Sequence, residues 1–425
     1  MAQANVLDRE RVTYVGIEES AVGTRSAAMK RIHLVQGQGD IGAALSSEMI
    51  AVDDDRVIRF DNPQRVQGLK LPAWGALTAH LKGVKVADRL ESGATPAVLS
   101  QHLLLQHGLG RLSTGVGTTI NGGSSTATEL VVADNSGLEV GQVVFVELDD
   151  GSYEAATITA LTSTTGITLR EGLSSAPGDT NIVRGAYNFV PAESRTTTLS
   201  VEQKLTGTSG LEYRVLGAFG SLAFAFPDAF GKPITFTLTG VGCSTHRGPE
   251  TLSGPSFGTS TPADDDMGTL VLHLPKLYLD TAITRASDSP YRIEKIALEM
   301  MSAPDPIPDP TQETAQNGFV DTAGRDNGVF AQLTLTVRMD TAEETIFEAG
   351  TLRAGLITWD CNDGSIVALS FARAELVAKP QKVTLGSGRT GMTLVLNLLR
   401  DTMTAGGSSA EQLDLARAPF RLAVG

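Results

Sequence analysis

The stretch PITFTLTGVG, residues 233–242, decides the fold class. Ile234, Phe236 and Leu238 fall on one side of it and Thr235, Thr237 and Thr239 on the other, the period of two of a half-buried strand. FAQLTLTVRMD at 330–340 repeats the pattern, with Leu333, Leu335, Val337 and Met339 alternating with Gln332, Thr334, Thr336 and Arg338. Working outward, TTTLSVEQKL (196–205), LEYRVLGAF (211–219), SLAFAF (221–226), RIEKIALEMM (292–301), SIVALSFARAELV (365–377) and MTLVLNLL (392–399) read the same way. These strands belong to antiparallel sheets with one covered face and one polar face. Trp74 and Trp359 lie in strand-like segments, where burial as core anchors is the plain reading.

Composition agrees with a β-rich chain. Across 425 residues, 41% are apolar, 5% aromatic and 19% charged, with 45 glycines, a bias toward strands and turns over long helices. The formal net charge of −14 repels a phosphate backbone, so tightly held DNA or RNA is not expected. Cys243 and Cys361 are too few for a disulfide framework and lack zinc-ligand spacing. No basic-then-apolar leader opens the chain and no run of about 18 apolar residues occurs, so neither export nor a membrane is expected.

One helix is convincing. After Pro96, residues Val98, Leu99, His102, Leu103, Leu105 and Leu109 form a mostly apolar surface that Gly108 or Gly110 can end. His102 and His107 are five apart, which does not align two imidazoles on one helical face. Residues 112–190 read as an inserted small all-β domain, a barrel or sandwich, with short strands separated by turns about every ten residues. Within it, Asp149, Asp150 and Gly151 fit a hairpin turn rather than a calcium loop.

Without the insert the chain shows a faint internal symmetry, each half being hairpin, helix, then more strands. The expected organisation is a first β-sandwich or barrel module at 1–111 and 191–242, the insert at 112–190, a linker at 243–268, a second module at 269–400, and a C-terminal arm at 401–425. The connection at 302–328 is long for a compact domain. Its prolines, Pro304, Pro306, Pro308 and Pro310, alternate with Asp305 and Asp309 and stiffen it into an extended arm.

The search for chemistry returns little. Gly37, Gly39 and Gly42, followed by Asp53, spell a dinucleotide-binding order, yet only AALSSEM follows as a possible helix, so a glycine-rich turn leaving a strand is the better reading. Cys243 and His246 are near only in sequence, and no G-x-S-x-G is present. Carboxylate pairs in VADRLESG and AEETIFEAG read as solvated faces. The expectation is no enzyme, no cofactor and no metal site.

The run TTTLSVEQKLTGTSGLEYRVLGAFGSLAFAFPDAFGKPITFTLTGVG resembles the tail tube (major tail) proteins of long-tailed bacteriophages. The second half, from IEKIALEMM through AQLTLTVRM to IVALSFARAELV, is similar to the repeated half of double-module members. The resemblance implies two tail-tube-like modules that close into trimeric, pseudo-sixfold rings, a hexamer being the alternative for a single module. Stacked rings would form the virion tail tube, assembled in the host cytoplasm, with tail tip, terminator and tape-measure proteins as partners and viral DNA passing non-specifically through a polar, net acidic bore. Candidate ring-to-ring contacts are Asp53, Asp54, Asp55 and Arg56, the 302–328 arm with Asp305, Asp309, Asp321, Arg325 and Asp326, the N-terminal segment, and the tail after Asp401. A surface-layer or adhesive β protein and a nucleotide-binding enzyme are the other classes considered.

Overall fold

The structure, a computed structural model, describes residues 11–18, 25–35, 73–97, 99–192, 198–205, 211–226, 232–241, 244–249, 270–271, 275–291, 293–300, 306–307, 321–322, 331–338, 347–361, 363–385, 388 and 390–425. It is mainly β, with few short helices. The first half opens with β1 (Arg11–Ile17), β2 (Lys30–Ile32) and β3 (Ala73–His80), followed by α1 (Ser100–Leu109). β4 (Gly110–Thr114) leads into an insert holding β5 (Thr118–Thr119), β6 (Glu129–Val131), β7 (Val143–Glu147), β8 (Tyr153–Thr162), β9 (Gly166–Leu169) and β10 (Ile182–Arg184). β11 (Tyr187–Pro191) leads out, and β12 (Leu199–Leu205), β13 (Leu211–Ala225), β14 (Thr235–Val241) and β15 (Ser244–Pro249) follow. The second half contains β16 (Lys276–Asp280), β17 (Ile293–Met300), β18 (Pro306–Ile307), β19 (Asp321–Thr322), β20 (Ala331–Arg338) and a helical turn at 347–349. It ends with β21 (Arg353–Asp360), β22 (Ile366–Leu376), β23 (Gln381–Thr384), β24 (Thr390–Leu398), α2 (Ala410–Arg417) and β25 (Arg421–Val424).

Seven strand positions form one antiparallel layer across both halves, in the order β3, β14, β13, β17, β20, β24 and then β22 running into β23. The period of two read from the sequence is realised here. In β20, Ala331, Leu333, Leu335 and Val337 are buried and the residues between them are half-exposed. The covered face, including Leu77, Phe236, Leu222, Phe224, Leu298, Leu333, Leu335, Leu394 and Leu396, joins the main core. Opposite it lie β2, β1, β12 and the first part of β13, and β16, β21 and the first part of β22. Burying such a face removes roughly 25 cal/mol per Å² of apolar area from water, the main driving force for the fold.

β13 and β22 each serve two layers, and they turn in the same way. In the pair β12–β13 the register slips by one residue between Leu199↔Ala218 and Val201↔Val215. In β21–β22 it slips by one between Arg353↔Ala374 and Gly355↔Phe371. Such bulges let a strand bend out of one sheet and into another. Before the bend β13 takes β15 on its second edge and β22 takes β25; beyond it β13 takes β14 and β22 takes β24. β1 lies against β12 as β16 lies against β21. The pairing map therefore repeats from one half to the other among the described strands.

α1 packs against the core through Leu103, Leu104, Leu105 and Leu109. It sits close to β13: a Cβ added at Gly108 would lie 2.7 Å from Leu222 Cβ. Its C-cap is Gly110, whose φ of 116° disfavours a side chain. The side-chain amide of Gln101 both donates to Lys82 O and accepts from Lys82 N, each at 3.1 Å.

The insert is a six-stranded antiparallel sheet in the order β5, β10, β7, β8, β9, β6. It curls until Ile120 bridges Val132, bringing its two edges together around a core of Ile120, Leu130, Val144, Val146, Ile158, Ile167 and Val183, among others. Asp149 and Asp150 with Gly151 form the β7–β8 turn, Gly151 having φ 79°. The barrel begins at Thr118 rather than 112, because β4 and β11 pair as a stem belonging to the main sheet. Its outer side is docked: Val143, Phe145 and Ala155 pack on Leu356, Ile366, Ala368 and Ala423. The buried Glu171 accepts from Thr157 N at 2.6 Å and Ser370 Oγ at 3.0 Å, and Arg285 Nε donates to Gly172 O at 3.1 Å.

Two further boundaries are corrected. Residues 401–425 are not an arm: Phe420, Leu422, Ala423 and Val424 are at most 2% exposed, and β25 lies between β22 and β11. The alternation in FRLAV makes these residues a core strand that binds the insert stem to the second half. The expected linker at 243–268 begins with β15, held on β13 by backbone pairing that its polar sequence does not announce.

Candidate functional site

The open face of the seven-stranded layer is a surface that the two halves build together. It carries Thr78 and His80 on β3, Thr235, Thr237 and Thr239 on β14, and Ser221, Ala223 and Ala225 on β13. It continues with Lys295, Ala297 and Glu299 on β17, Gln332, Thr334, Thr336 and Arg338 on β20, Thr393, Val395 and Asn397 on β24, and Glu375 on β22. Register places these residues in rows across the strands: His80, Thr235, Ala225, Ala297, Thr334 and Val395 form one such row.

Neighbours within the face satisfy one another. Thr78 Oγ1 and Thr237 Oγ1 are 2.9 Å apart, and Gln332 Nε2 donates to Asn397 Oδ1 at 3.2 Å. Burial, and then the charge of Lys82, hold the His80 pKa below its ordinary value, so the ring is neutral near pH 7. Charges of both signs occur on this face, Lys295 and Arg338 with Glu299 and Glu375. The acidity sits on the insert, where residues 118–184 contain nine Asp or Glu against two Arg, a formal −7 out of the chain's −14. Both arginines point away from open solvent: Arg184 lies 4.0 Å from the Tyr153 ring centre, and Arg170 pairs with Asp401.

Among the described residues no group of three or more His, Cys, Asp or Glu is placed to hold a metal. His102 is fully buried, with its ring centre 4.3 Å from Tyr187 and 5.2 Å from Phe189, and burial pushes its pKa down to about 3. It is a core residue. Trp359 is fully buried and stacked on Phe226 at 5.3 Å, as an anchor should be, and Cys361 is buried. Trp74 lies on β3.

Of the residues singled out as contacts, Asp53, Asp54, Asp55, Arg56, Asp305, Asp309, Arg325 and Asp326 lie outside the described residues, as do Gly37, Gly39, Gly42, Cys243 and Met339. Asp321 opens β19, which pairs with β18 through Ile307↔Asp321 and Pro306↔Thr322. The 302–328 connection thus folds back on itself at this point, where a single extended arm was expected. In the N-terminal segment, Arg11–Ile17 is committed to pairing with β12 and β2. The sequence reading missed the cluster at the insert dock, where Arg421 donates to Asp401 at 3.0 Å and to the carbonyls of Leu415 and Ala416. Nothing in the spacing marks it, because Arg170 of the insert, which also pairs with Asp401, lies 231 positions away along the chain.

No protein-family model matches the chain, and no curated protein matches its sequence. No helix among the described residues is long and apolar enough to cross a membrane.

Proposed function

We propose that this chain is a structural virion protein that polymerises into stacked rings forming a phage tail tube, the conduit for genome delivery. The observation that carries the reading is the seven-stranded layer, continuous across two halves of matching strand plan, with a core side and an open side rich in Thr and other small residues. A surface of hydroxyls and amides on which Lys295 and Arg338 stand among carboxylates offers DNA no row of cations, so it gains little of the counterion-release affinity that would make a passing duplex stick. Three chains would contribute about 21 strands. At about 4.8 Å per strand, that is a circumference near 100 Å and a backbone diameter of about 32 Å, which strand tilt widens.

On this reading the ring is a pseudo-hexameric trimer. Tail tip, terminator and tape-measure proteins are its partners, and the insert decorates the outside, where its acidic surface keeps neighbouring tubes apart. Negative-stain electron microscopy of the purified chain, with its solution mass, tests this. Annuli of threefold mass around a channel of roughly duplex width support it; a uniform monomer at all concentrations overturns it.

A further inference from the structure

Within one chain the two halves are joined edge to edge. The outer edge of β13 at Phe224 and Ala225 is covered by β17 through Leu298 and Ala297. The second half has the same edge, and no described strand covers it. β22 running into β23 stands where β13 stands: Ala374 pairs with Leu398 of β24, and Val377 N donates to Val395 O. After an interruption, Gln381–Thr384 pairs with Thr390–Thr393. β21 accompanies β22 only as far as Ala374. Beyond that point no described strand lies on the outer edge. Val377, in the place of Ser221, is 47% exposed, and with Val86 it is one of two large apolar side chains so exposed among the described residues.

We propose that the edge Val377–Thr384 takes a strand from a second copy of this chain. The internal repeat names the occupant's side. β17 lies beyond β20, on the side of the second-half strands away from β24. The matching side of the first-half strands is the one on which β3 lies, beyond β14, outward of the bond that Val35 N donates to Thr78 O at 2.8 Å. Copies therefore join head to tail, the β3 side of one against the Val377 edge of the next, repeating between chains the β13–β17 join found within each. Such a heterologous contact closes into a ring when its rotation allows. An unpaired strand edge is a template for backbone pairing, and Lys382 on β23 is the kind of edge charge that restrains indiscriminate pairing.

The inference rests on the ring reading in that both require self-association. The test is sedimentation and electron microscopy of the full chain as wild type, Val377→Asp and the control Val86→Asp, with thermal unfolding of each. Wild type and Val86→Asp should assemble alike, whereas Val377→Asp should associate at least tenfold more weakly with an unchanged unfolding midpoint. Added at one part in ten, Val377→Asp should cap wild-type assemblies, since its β3 side still binds. If Val377→Asp lowers the midpoint, Val377→Thr carries the same expectation with a smaller effect. Wild type that assembles while both Val377 variants assemble equally well overturns the edge and spares the ring. Weakened association without capping overturns the head-to-tail arrangement. Wild type that stays monomeric overturns both.

Discussion

The bend in β13 and the bend in β22 have the same one-residue slip and the same exchange of edge partners, but different chemistry holds them. In the first half the bend passes through Gly217, at φ 59°, and its N–H donates to the buried Glu18 at 2.8 Å. The same carboxylate accepts from Thr198 Oγ1 at 2.6 Å and Ser200 Oγ at 3.0 Å. In the second half Phe371 lies over Gly355, so close that a Cβ there would be 2.0 Å from Cζ, and β25 runs along the strand before the turn. The difference teaches that the repeat is kept by backbone pairing and the position of the bulge, while the residues that hold the bulge have diverged into a polar clasp and an aromatic one.

The comparison breaks hardest at the C-terminus, because β25 has a second duty that β15 lacks: it also pairs with the insert stem. Removing Arg421–Gly425 empties the core of Leu422 and Val424 and leaves Asp401 without Arg421. Losses of about 2–5 kcal/mol per truncated core side chain then approach the whole stability of about 5–15 kcal/mol. The expected result is insoluble protein or loss of a cooperative urea transition, and a soluble, cooperatively unfolding truncation would show that β25 is dispensable. Next in size is Glu18→Ala, which strands two hydroxyls and a backbone N–H in the first bend and should cost about 3 kcal/mol by urea denaturation. Glu18→Gln, which keeps an acceptor, should cost about half as much. Equal losses for the two would mean that packing, not acceptance, matters there.

The second bend is probed by overfilling it. Gly355→Ala drives a methyl into the Phe371 ring and should cost about 2 kcal/mol, the usual penalty for overpacking a core. Phe371→Leu added to it should recover part of that loss. If Gly355→Ala alone is neutral, the ring shifts freely and the aromatic clasp has been misread.

Much of this fold was legible in the sequence because its main signal is local. Ile234, Phe236 and Leu238, or Leu333, Leu335 and Val337, declare a half-buried strand wherever it pairs, and Gly108 and Gly110 declare the end of α1. What was illegible depends on pairing partners far away in sequence. Nothing in STHRGP distinguishes a strand from a linker until β13 is beside it. The FRLAV alternation was present but short, and its position at the chain end suggested an arm. Net charge likewise sums over the chain and cannot show that half of it, a formal −7 of −14, lies within residues 118–184. The alternation announced a polar face on each strand, yet the continuity of the open face depends on the β13–β17 join, two residue pairs that no pattern predicts.

The smallest effect separates the halves by titration. The first half carries α1, and that helix buries His102 against Tyr187 and Phe189. Burial, with a smaller contribution from Lys30, lowers its pKa to about 3 from the ordinary 6.5. The folded protein thus keeps the ring neutral between these values, while the unfolded chain binds a proton there. Stability falls wherever the unfolded state binds more protons as pH decreases, so the loss begins below about pH 6.5 and deepens by about 1.4 kcal/mol per pH unit until the folded pKa is reached. Between pH 6.5 and 5.5 the term is about 1 kcal/mol, since protonation of the unfolded state is only half complete at its pKa. Urea titrations across that interval should show this slope in the wild type and a shallower one in His102→Leu, whose side chain fills similar space without titrating. An unchanged slope would assign the pH dependence to other groups and leave the helix a purely apolar element of the first half.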